Sequence, residues 1–376
     1  MVLFALLLAR CGVPEGDAKT TEIEALPALH LVGLLHDDQA LIRPHDVELQ
    51  GNLAFVAGKA GSLAIIDIAD PTNPKVISAI VGPQTIEDAE TVLPMGDILL
   101  LGTRSFHAVD IRDPAKPELT KTITDRAVID KINGMAKRGL YVFTANKTGF
   151  VNVFDVSNPA DPKLHGALDT LERAKQSKPH DIAAFGDRII VVDSATDASA
   201  AVQVYRVADE STHELLPVDK WEVEGSVAAG DAAWDIGGAN RVAVSGNYAY
   251  VGAYRPDRVG IIDISNPKSI RQVGNIPVCD IDATGLDIAG QILFVAGGEC
   301  VEAIDVSNPE APVSIAQYRG GELFPTRRLL LDGEWRFDNA HDLVYRDGYI
   351  YITAQNDNRF GILKVESELV LRRAMQ

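Results

Sequence analysis

Three histidines in this chain are each followed directly by an aspartate at the head of a similarly patterned segment. His45 lies in RPHDVELQGNLAFVAG, His180 in KPHDIAAFGDRIIVVD and His341 in NAHDLVYRDGYIYITA. Imidazole nitrogen is a ligand for zinc, copper, iron and nickel, and a carboxylate can add an oxygen ligand. No HExxH or CxxC spacing accompanies these histidines, so a metal site requires a fold that brings the three rings to one point.

The segments around these histidines belong to an internal repeat. Alternating apolar strands, rich in Val, Ile, Tyr and Phe and separated by glycine-containing turns, predict β-hairpins. A turn of the type Asp-x-Ser-Asn-Pro follows, and its proline is expected to end the strand ladder. The copies are LAIIDIADPTNP from Leu63, FHAVDIRDPAKP from Phe106, VNVFDVSNPADP from Val151, VGIIDISNPKSI from Val259 and VEAIDVSNPEAP from Val301.

These copies, and especially LAIIDIADP, VGIIDISNP and VEAIDVSNP, resemble the LVIVD repeat family. The resemblance covers the chain from about Ala28 to Val365. It implies a β-propeller. It also implies an exported or surface protein of bacteria or archaea, with a binding role rather than a defined reaction.

The glycine before each hairpin strand gives the number of repeats. A step of six residues back from each of six glycines, and of seven back from Gly348, reaches seven polar positions. Each position would head the innermost strand of a blade, so the seven side chains should form a ring at one mouth of a central channel. The ring residues are His45, Glu90, Asn133, His180, Asn240, Thr284 and His341.

The predicted fold is all-β, a seven-bladed β-propeller of four-stranded antiparallel blades. No outer strand follows the last unit, GILKVES from Gly361, whereas PALHLVGLL from Pro27 matches the outer strands of other units. We therefore expect the N-terminal strand to complete the last blade and close the ring, which removes an exposed sheet edge. The expected divisions are a lipoprotein-signal-like segment and linker at 1–26, a single propeller at 27–366 and a tail at 367–376.

Two interpretations of the ring stay open. In the first, His45, His180 and His341 hold a transition metal (Zn, Cu, Fe or Ni), with Glu90 as a further ligand or general base. In the second, the ring lines a water-filled polar channel. A calcium ion between blades is a further option. The aspartates that follow the three histidines are expected to accept N–H groups of the entering loop.

Long insertions directly precede three of the ring residues along the chain. Loops on a rigid scaffold often contain the residues that bind a ligand or partner. The last insertion contains Arg327, Arg328, Trp335 and Arg336 ahead of His341. This cluster could receive a carboxylate, a sugar or a peptide. Alternatively, its arginines pair with acidic residues of the same loop and only hold it in place.

Composition and motifs narrow the function classes. The formal net charge of −18 argues against a nucleic-acid partner, which requires clustered Lys and Arg. No GxSxG elbow, P-loop or helix-opening GxGxxG is present, which favours a protein without catalytic activity. We therefore predict a monomeric propeller that acts as a binding scaffold for an unknown protein or small-molecule ligand. The alternative is a metal-dependent enzyme or metal-binding protein.

The N-terminus and the cysteines favour export. The start, MVLFALLLARCG, resembles a lipoprotein signal, although Arg10 stands where a small residue belongs. Cys11 would then be lipidated, attaching the chain to a membrane. The remaining cysteines, Cys279 and Cys300, could form a disulfide in an oxidising compartment. The expected location is the periplasm or the cell surface.

Overall fold

Seven four-stranded antiparallel sheets follow one another around a ring, which confirms the predicted seven-bladed β-propeller. The computed structural model describes residues 29–82, 84–170, 177–194, 201–228, 238–253, 257–278, 283–325, 328–329, 335–336 and 340–366. Within these ranges, no helix has the length and hydropathy needed to span a bilayer.

Each of the first six blades is built from consecutive strands, ordered from the channel outwards. Blades 1 to 3 contain β2 (Pro44–Gln50), β3 (Leu53–Gly58), β4 (Ser62–Asp67), β5 (Lys75–Val81); β6 (Thr91–Met95), β7 (Ile98–Gly102), β8 (Phe106–Asp110), β9 (Glu118–Ile123); β10 (Ile132–Arg138), β11 (Tyr141–Asn146), β12 (Phe150–Asp155) and β13 (Lys163–Asp169). Blades 4 to 6 contain β14 (Pro179–Phe185), β15 (Arg188–Asp193), β16 (Ala201–Arg206), β17 (Glu222–Ala228); β18 (Ala239–Ser245), β19 (Tyr248–Ala253), β20 (Arg258–Asp263), β21 (Arg271–Pro277); β22 (Gly285–Ala289), β23 (Ile292–Gly297), β24 (Cys300–Asp305) and β25 (Val313–Arg319).

Blade 7 joins the two ends of the propeller. It contains β28 (Ala340–Arg346), β29 (Tyr349–Ala354), β30 (Arg359–Val365) and, as its outer strand, β1 (Leu29–His36). The predicted closure by the N-terminal strand is therefore confirmed. Gly33 allows the close approach of β1 to blade 1, because a Cβ at this position would lie 2.1 Å from the Pro71 carbonyl oxygen.

Two short strands, β26 (Arg328–Leu329) and β27 (Trp335–Arg336), pair with each other. They lie along the chain between the last strand of blade 6 and the innermost strand of blade 7.

The repeated turns have the structural role expected from sequence. In blade 3, Asp155 Oδ1 accepts the Ser157 N–H at 2.9 Å, and Asn158 Oδ1 accepts the Ala160 N–H at 3.3 Å. Short polar side chains that bond the backbone two residues ahead stabilise such turns. The Asp-x-Ser-Asn-Pro sequence therefore shapes the connection to the outer strand.

Apolar side chains are buried between adjacent blades rather than within one blade. One core cluster, for example, combines Val56 and Ile66 of blade 1 with Tyr351, Phe360 and Ile362 of blade 7. Each blade thus needs both of its neighbours to bury its two faces, and the closed ring supplies them.

Candidate functional site

The seven ring residues lie at one end of the inner strands, as predicted, but they are buried. Relative exposure is 0% for Asn133, 1% for His45 and 6% for Thr284, and His341 is partly buried. In several blades the register between the two inner strands shifts at the ring residue, for example between Pro44 and Asp46. Such bulges re-aim a side chain, and here they let the ring residue contact the next blade.

Each histidine of the three His-Asp pairs is hydrogen-bonded to the neighbouring blade. The Nδ1 atom of His45 lies 2.8 Å from the Glu90 carbonyl oxygen, and that of His180 lies 2.7 Å from the Asn240 carbonyl oxygen. His341 Nδ1 lies 2.9 Å from the His45 carbonyl oxygen. Because a carbonyl oxygen only accepts, each Nδ1 carries the proton and donates it.

The aspartates of the pairs complete the same connection. Asp46 Oδ2 accepts the Val92 N–H at 2.8 Å and Asp181 Oδ2 accepts the Val242 N–H at 2.9 Å. Asp342 Oδ2 accepts the Val47 N–H at 3.1 Å. These N–H groups belong to the inner strand of the next blade, not to the entering loop as expected. A His-Asp pair therefore links two blades through one donor and one acceptor.

This arrangement does not form the three-histidine metal site among the described residues. His45 and His341 do meet, with ring centroids 3.8 Å apart, and backbone carbonyls take the Nδ1 hydrogens of all three histidines, which leaves Nε2 as the ring nitrogen that could bind a metal. In the described part of the chain, no group of three His, Cys, Asp or Glu residues could hold a metal ion. A calcium ion between blades stays a prediction.

The protonation of two of these rings leads to a direct prediction. Burial lowers the pKa of His180 and of His341 well below the usual value. Both rings should therefore be neutral at pH 6, with the proton on Nδ1, in long-range ¹H–¹⁵N NMR spectra. His180→Asn and His341→Asn variants assign the signals. Titration of either ring between pH 5 and 7, or a proton on Nε2, would contradict the assigned hydrogen bonds.

Glu90 connects the ring residues of blades 1, 2 and 3. Its Oε2 atom lies 3.1 Å from His45 Nε2 and accepts the Asn133 Nδ2 hydrogen at 2.8 Å. Lys59 Nζ lies 3.5 Å from the same oxygen. Burial raises the pKa of Glu90, although Lys59 and Lys147 oppose that effect.

Below the ring, a cavity of about 240 Å³ occupies the channel. The described carboxyl groups that line it are Asp46, Glu48, Asp181, Asp287 and Asp342. The single cation among the described lining residues is Arg241, which stands where other repeats have the aspartate of the pair. Its Nη2 atom lies 3.7 Å from Asp46 Oδ1 and 3.8 Å from Asp342 Oδ1.

The pKa values of the carboxyl groups that line the cavity are raised. Burial raises the pKa of Asp342 well above the usual value, and it raises the pKa of Asp46 less strongly. Burial together with the charges of Asp46 and Asp287 raises the pKa of Glu48 to about 8, and burial raises that of Asp181 to about 6. The channel is therefore less negative than its residue types suggest.

Other predicted site residues remain predictions. Arg327 lies outside the described residues, and for Arg328, Trp335 and Arg336 only the strands β26 and β27 are described. Cys300 is buried and disulfide-bonded. Its expected partner Cys279, and the expected lipidation site Cys11, lie outside the described residues.

Several residues of this channel were not singled out from sequence. Glu48 and Asp287 lie three residues after a ring position, and Arg241 lies one residue after. Lys59 and Lys147 each follow the second strand of a blade directly. Aligning the repeats beyond the ring position would have exposed these residues, because equivalent positions meet around one axis.

Solved structures with similar folds are β-propellers. The Neurospora crassa Pan2 WD40 domain aligns with a TM-score of 0.61 at 12% identity, covering 90% of this chain and 96% of that one. The Myceliophteria thermophila Cps50 (Swd1) β-propeller domain gives 0.63 at 10%, covering 90% and 99%. Chaetomium thermophilum Raptor gives 0.65 at 10%, covering 91% of this chain and 30% of that one. At these identities the likeness shows the fold alone.

The fold and the channel define the chain as a seven-bladed β-propeller. Its repeats are LVIVD repeats, matched at residues 44–80, 135–170 and 236–277, consistent with the LVIVD repeat family. No curated protein matches the chain.

Proposed function

We propose that this chain is an exported binding protein whose ligand docks on the ring face. The ring face is the end of the propeller where the inner strands begin. The observation that carries the proposal is that the connections into β14, β18 and β28, residues 170–178, 229–238 and 320–339, all reach this end, and that the last is about twice as long as any other link from an outer strand to the next inner strand. Insertions collected at one end of a rigid ring are the usual way in which a scaffold presents a recognition surface.

The described residues beside the first insertion support this arrangement. Thr170 Oγ1 and Ser177 Oγ lie 2.8 Å apart on either side of it, and Ser177 Oγ donates to Asp193 Oδ2 at 2.6 Å. Thr170 is also hydrogen-bonded to the Gly149 carbonyl oxygen at 2.8 Å, so one end of this insertion is fixed to blade 3 and the other to blade 4. The His-Asp links hold the strands beneath, so a ligand would meet a preorganised support.

Export is part of the proposal. The apolar run before Cys11 and the disulfide-bonded Cys300 favour an oxidising compartment outside the cytoplasm. The full chain, expressed with its own N-terminus in a bacterial host, should enter the membrane fraction and incorporate labelled palmitate. Cys11→Ser should abolish the label, and equal labelling of the variant would contradict lipidation at this residue.

Ligand binding at the ring face can be tested without knowing the ligand. Thermal shift with a panel of sugars, amino acids, short peptides and organic anions should identify a compound that raises Tm, since a ligand of the native state stabilises it. Calorimetry then compares Arg327→Ser/Arg328→Ser in the connection between β25 and β28 with Lys268→Ser/Arg271→Ser in blade 5 at the end remote from the ring face. At least tenfold weaker binding in the first variant alone supports the proposal. An unchanged Kd in the first variant, or loss in the second, overturns it.

A further inference from the structure

Two lysines occupy equivalent positions at the ring-face end of the channel. Lys59 follows β3 in blade 1 and Lys147 follows β11 in blade 3; their backbone N–H groups bond to the Arg43 and Lys131 carbonyl oxygens at 3.0 and 3.2 Å. None of the described residues at this position in the other blades is acidic: they are Arg104, Ser194, Gly298 and Gln355. The described residues at this position are therefore neutral or basic, although the chain as a whole carries a net charge of −18.

The carboxyl group of Glu90 can balance only one of the two lysine charges. His45 donates its Nδ1 hydrogen to the Glu90 carbonyl oxygen, so in the neutral ring Nε2 carries a lone pair. That nitrogen lies 3.1 Å from Glu90 Oε2, the same oxygen that lies 3.5 Å from Lys59 Nζ. Glu90 therefore supplies at most one negative charge to two ammonium groups.

The neighbouring acids are already paired with other cations. Asp130 holds Arg104 through two hydrogen bonds of 2.8 and 3.1 Å, and Asp88 lies 3.8 Å from Lys131 Nζ. Burial lowers the pKa of Lys147 to about 8, and Lys59, Lys131 and Arg241 lower it further while Glu90 opposes them. An added negative charge would therefore stabilise the protonated, half-buried amine of Lys147.

A third donor points to the same kind of ligand. Gln355 takes the equivalent position in blade 7, the neighbour of blade 1 in the ring. Its Nε2 atom is buried and has no hydrogen-bond partner among the described residues. A buried N–H without an acceptor costs free energy, which an anionic oxygen nearby would recover.

We propose that Lys59 and Lys147 bind the carboxylate or phosphate group of a small-molecule ligand at the ring-face end of the channel. This inference rests on the proposed ring-face binding and adds the chemical class of the ligand. An oxyanion placed between the two ammonium groups would form charge-assisted hydrogen bonds to both.

Calorimetry with the full chain tests the proposal, with inorganic phosphate and acetate as separate probes at pH 7. At least one probe should bind wild type, and Lys59→Gln and Lys147→Gln should each weaken it at least tenfold. Lys75→Gln, the same charge change on the outer strand β5, should alter Kd less than twofold. Binding to wild type should also weaken from pH 7 to pH 9 as Lys147 loses its proton. The stronger probe distinguishes a phosphate group from a carboxylate.

Two results would overturn the inference: no binding of either probe, or equal losses in Lys75→Gln and Lys147→Gln. Circular dichroism and Tm of each variant exclude unfolding as the cause. A panel compound without an anionic group that binds through Arg327 and Arg328 would leave the ring-face proposal standing while this inference fails.

Discussion

Replacing Arg241 by methionine should lower the free energy of unfolding by about 3–5 kcal/mol at pH 8, because buried carboxylates lose their counter-ion. The guanidinium lies within 3.8 Å of both Asp46 and Asp342, and its Nε donates to the Thr284 carbonyl oxygen at 2.7 Å. Methionine keeps the length and apolar stem of the side chain, so packing changes little. Chemical denaturation followed by circular dichroism measures the effect.

The cost of Arg241→Met should be smaller at pH 5 than at pH 8. Burial raises the pKa of Asp46 and Asp342, so more of their protons remain at the lower pH and fewer charges need a partner. Arg271→Met is the matched control, since this exposed arginine lies 3.5 Å from Asp263 and should contribute only about 0–1 kcal/mol. Equal losses in the two variants would show that Arg241 is not the counter-ion of the channel.

Replacing Glu48 by glutamine should make the protein more stable at pH 8, by about 1–2 kcal/mol, and its stability less dependent on pH. The pKa of Glu48 rises from 4.5 to about 8 on folding. Between these values the native chain binds more protons than the unfolded chain, so the free energy of unfolding falls as pH rises. One group contributes at most about 1.4 kcal/mol per pH unit. Urea denaturation at pH 5, 6, 7 and 8 gives the slope.

Glu118→Gln, the same chemical change on the exposed outer strand β9, should leave the slope unchanged. If Glu48→Gln and wild type lose stability in parallel from pH 5 to pH 8, then Glu48 does not retain its proton in the native state.

The blade count could be predicted because it depends on local order. Glycine turns and period-two strands recur along the chain, and each of the first six blades is built from consecutive strands. The partners of the His-Asp pairs could not be identified in this way. His180 bonds a carbonyl oxygen 60 residues further along, and Asp181 a backbone N–H 61 residues further along. Only the packing of neighbouring blades determines these partners.

The three-histidine metal site stays a prediction, and the sequence could not decide it for the same reason. Three histidines at equivalent repeat positions do share one end of the channel, as the spacing indicated. Each ring, however, turns sideways to reach the next blade, and this orientation depends on a bulge that sequence patterns do not reveal. Arg241 occupies the repeat position that holds an aspartate in three other blades. This single basic residue changes the charge of the whole cavity.

The closing strand also determines which way the molecule would face when held by its N-terminus. β1 enters blade 7 at Leu29, opposite Val365, and reaches the ring face at His36, opposite Arg359. The chain therefore joins the propeller at the end remote from the ring face. A lipid on Cys11, tethered by residues 12–28, would hold the propeller from below. The ring face would then point away from the membrane, towards molecules in the surrounding solution.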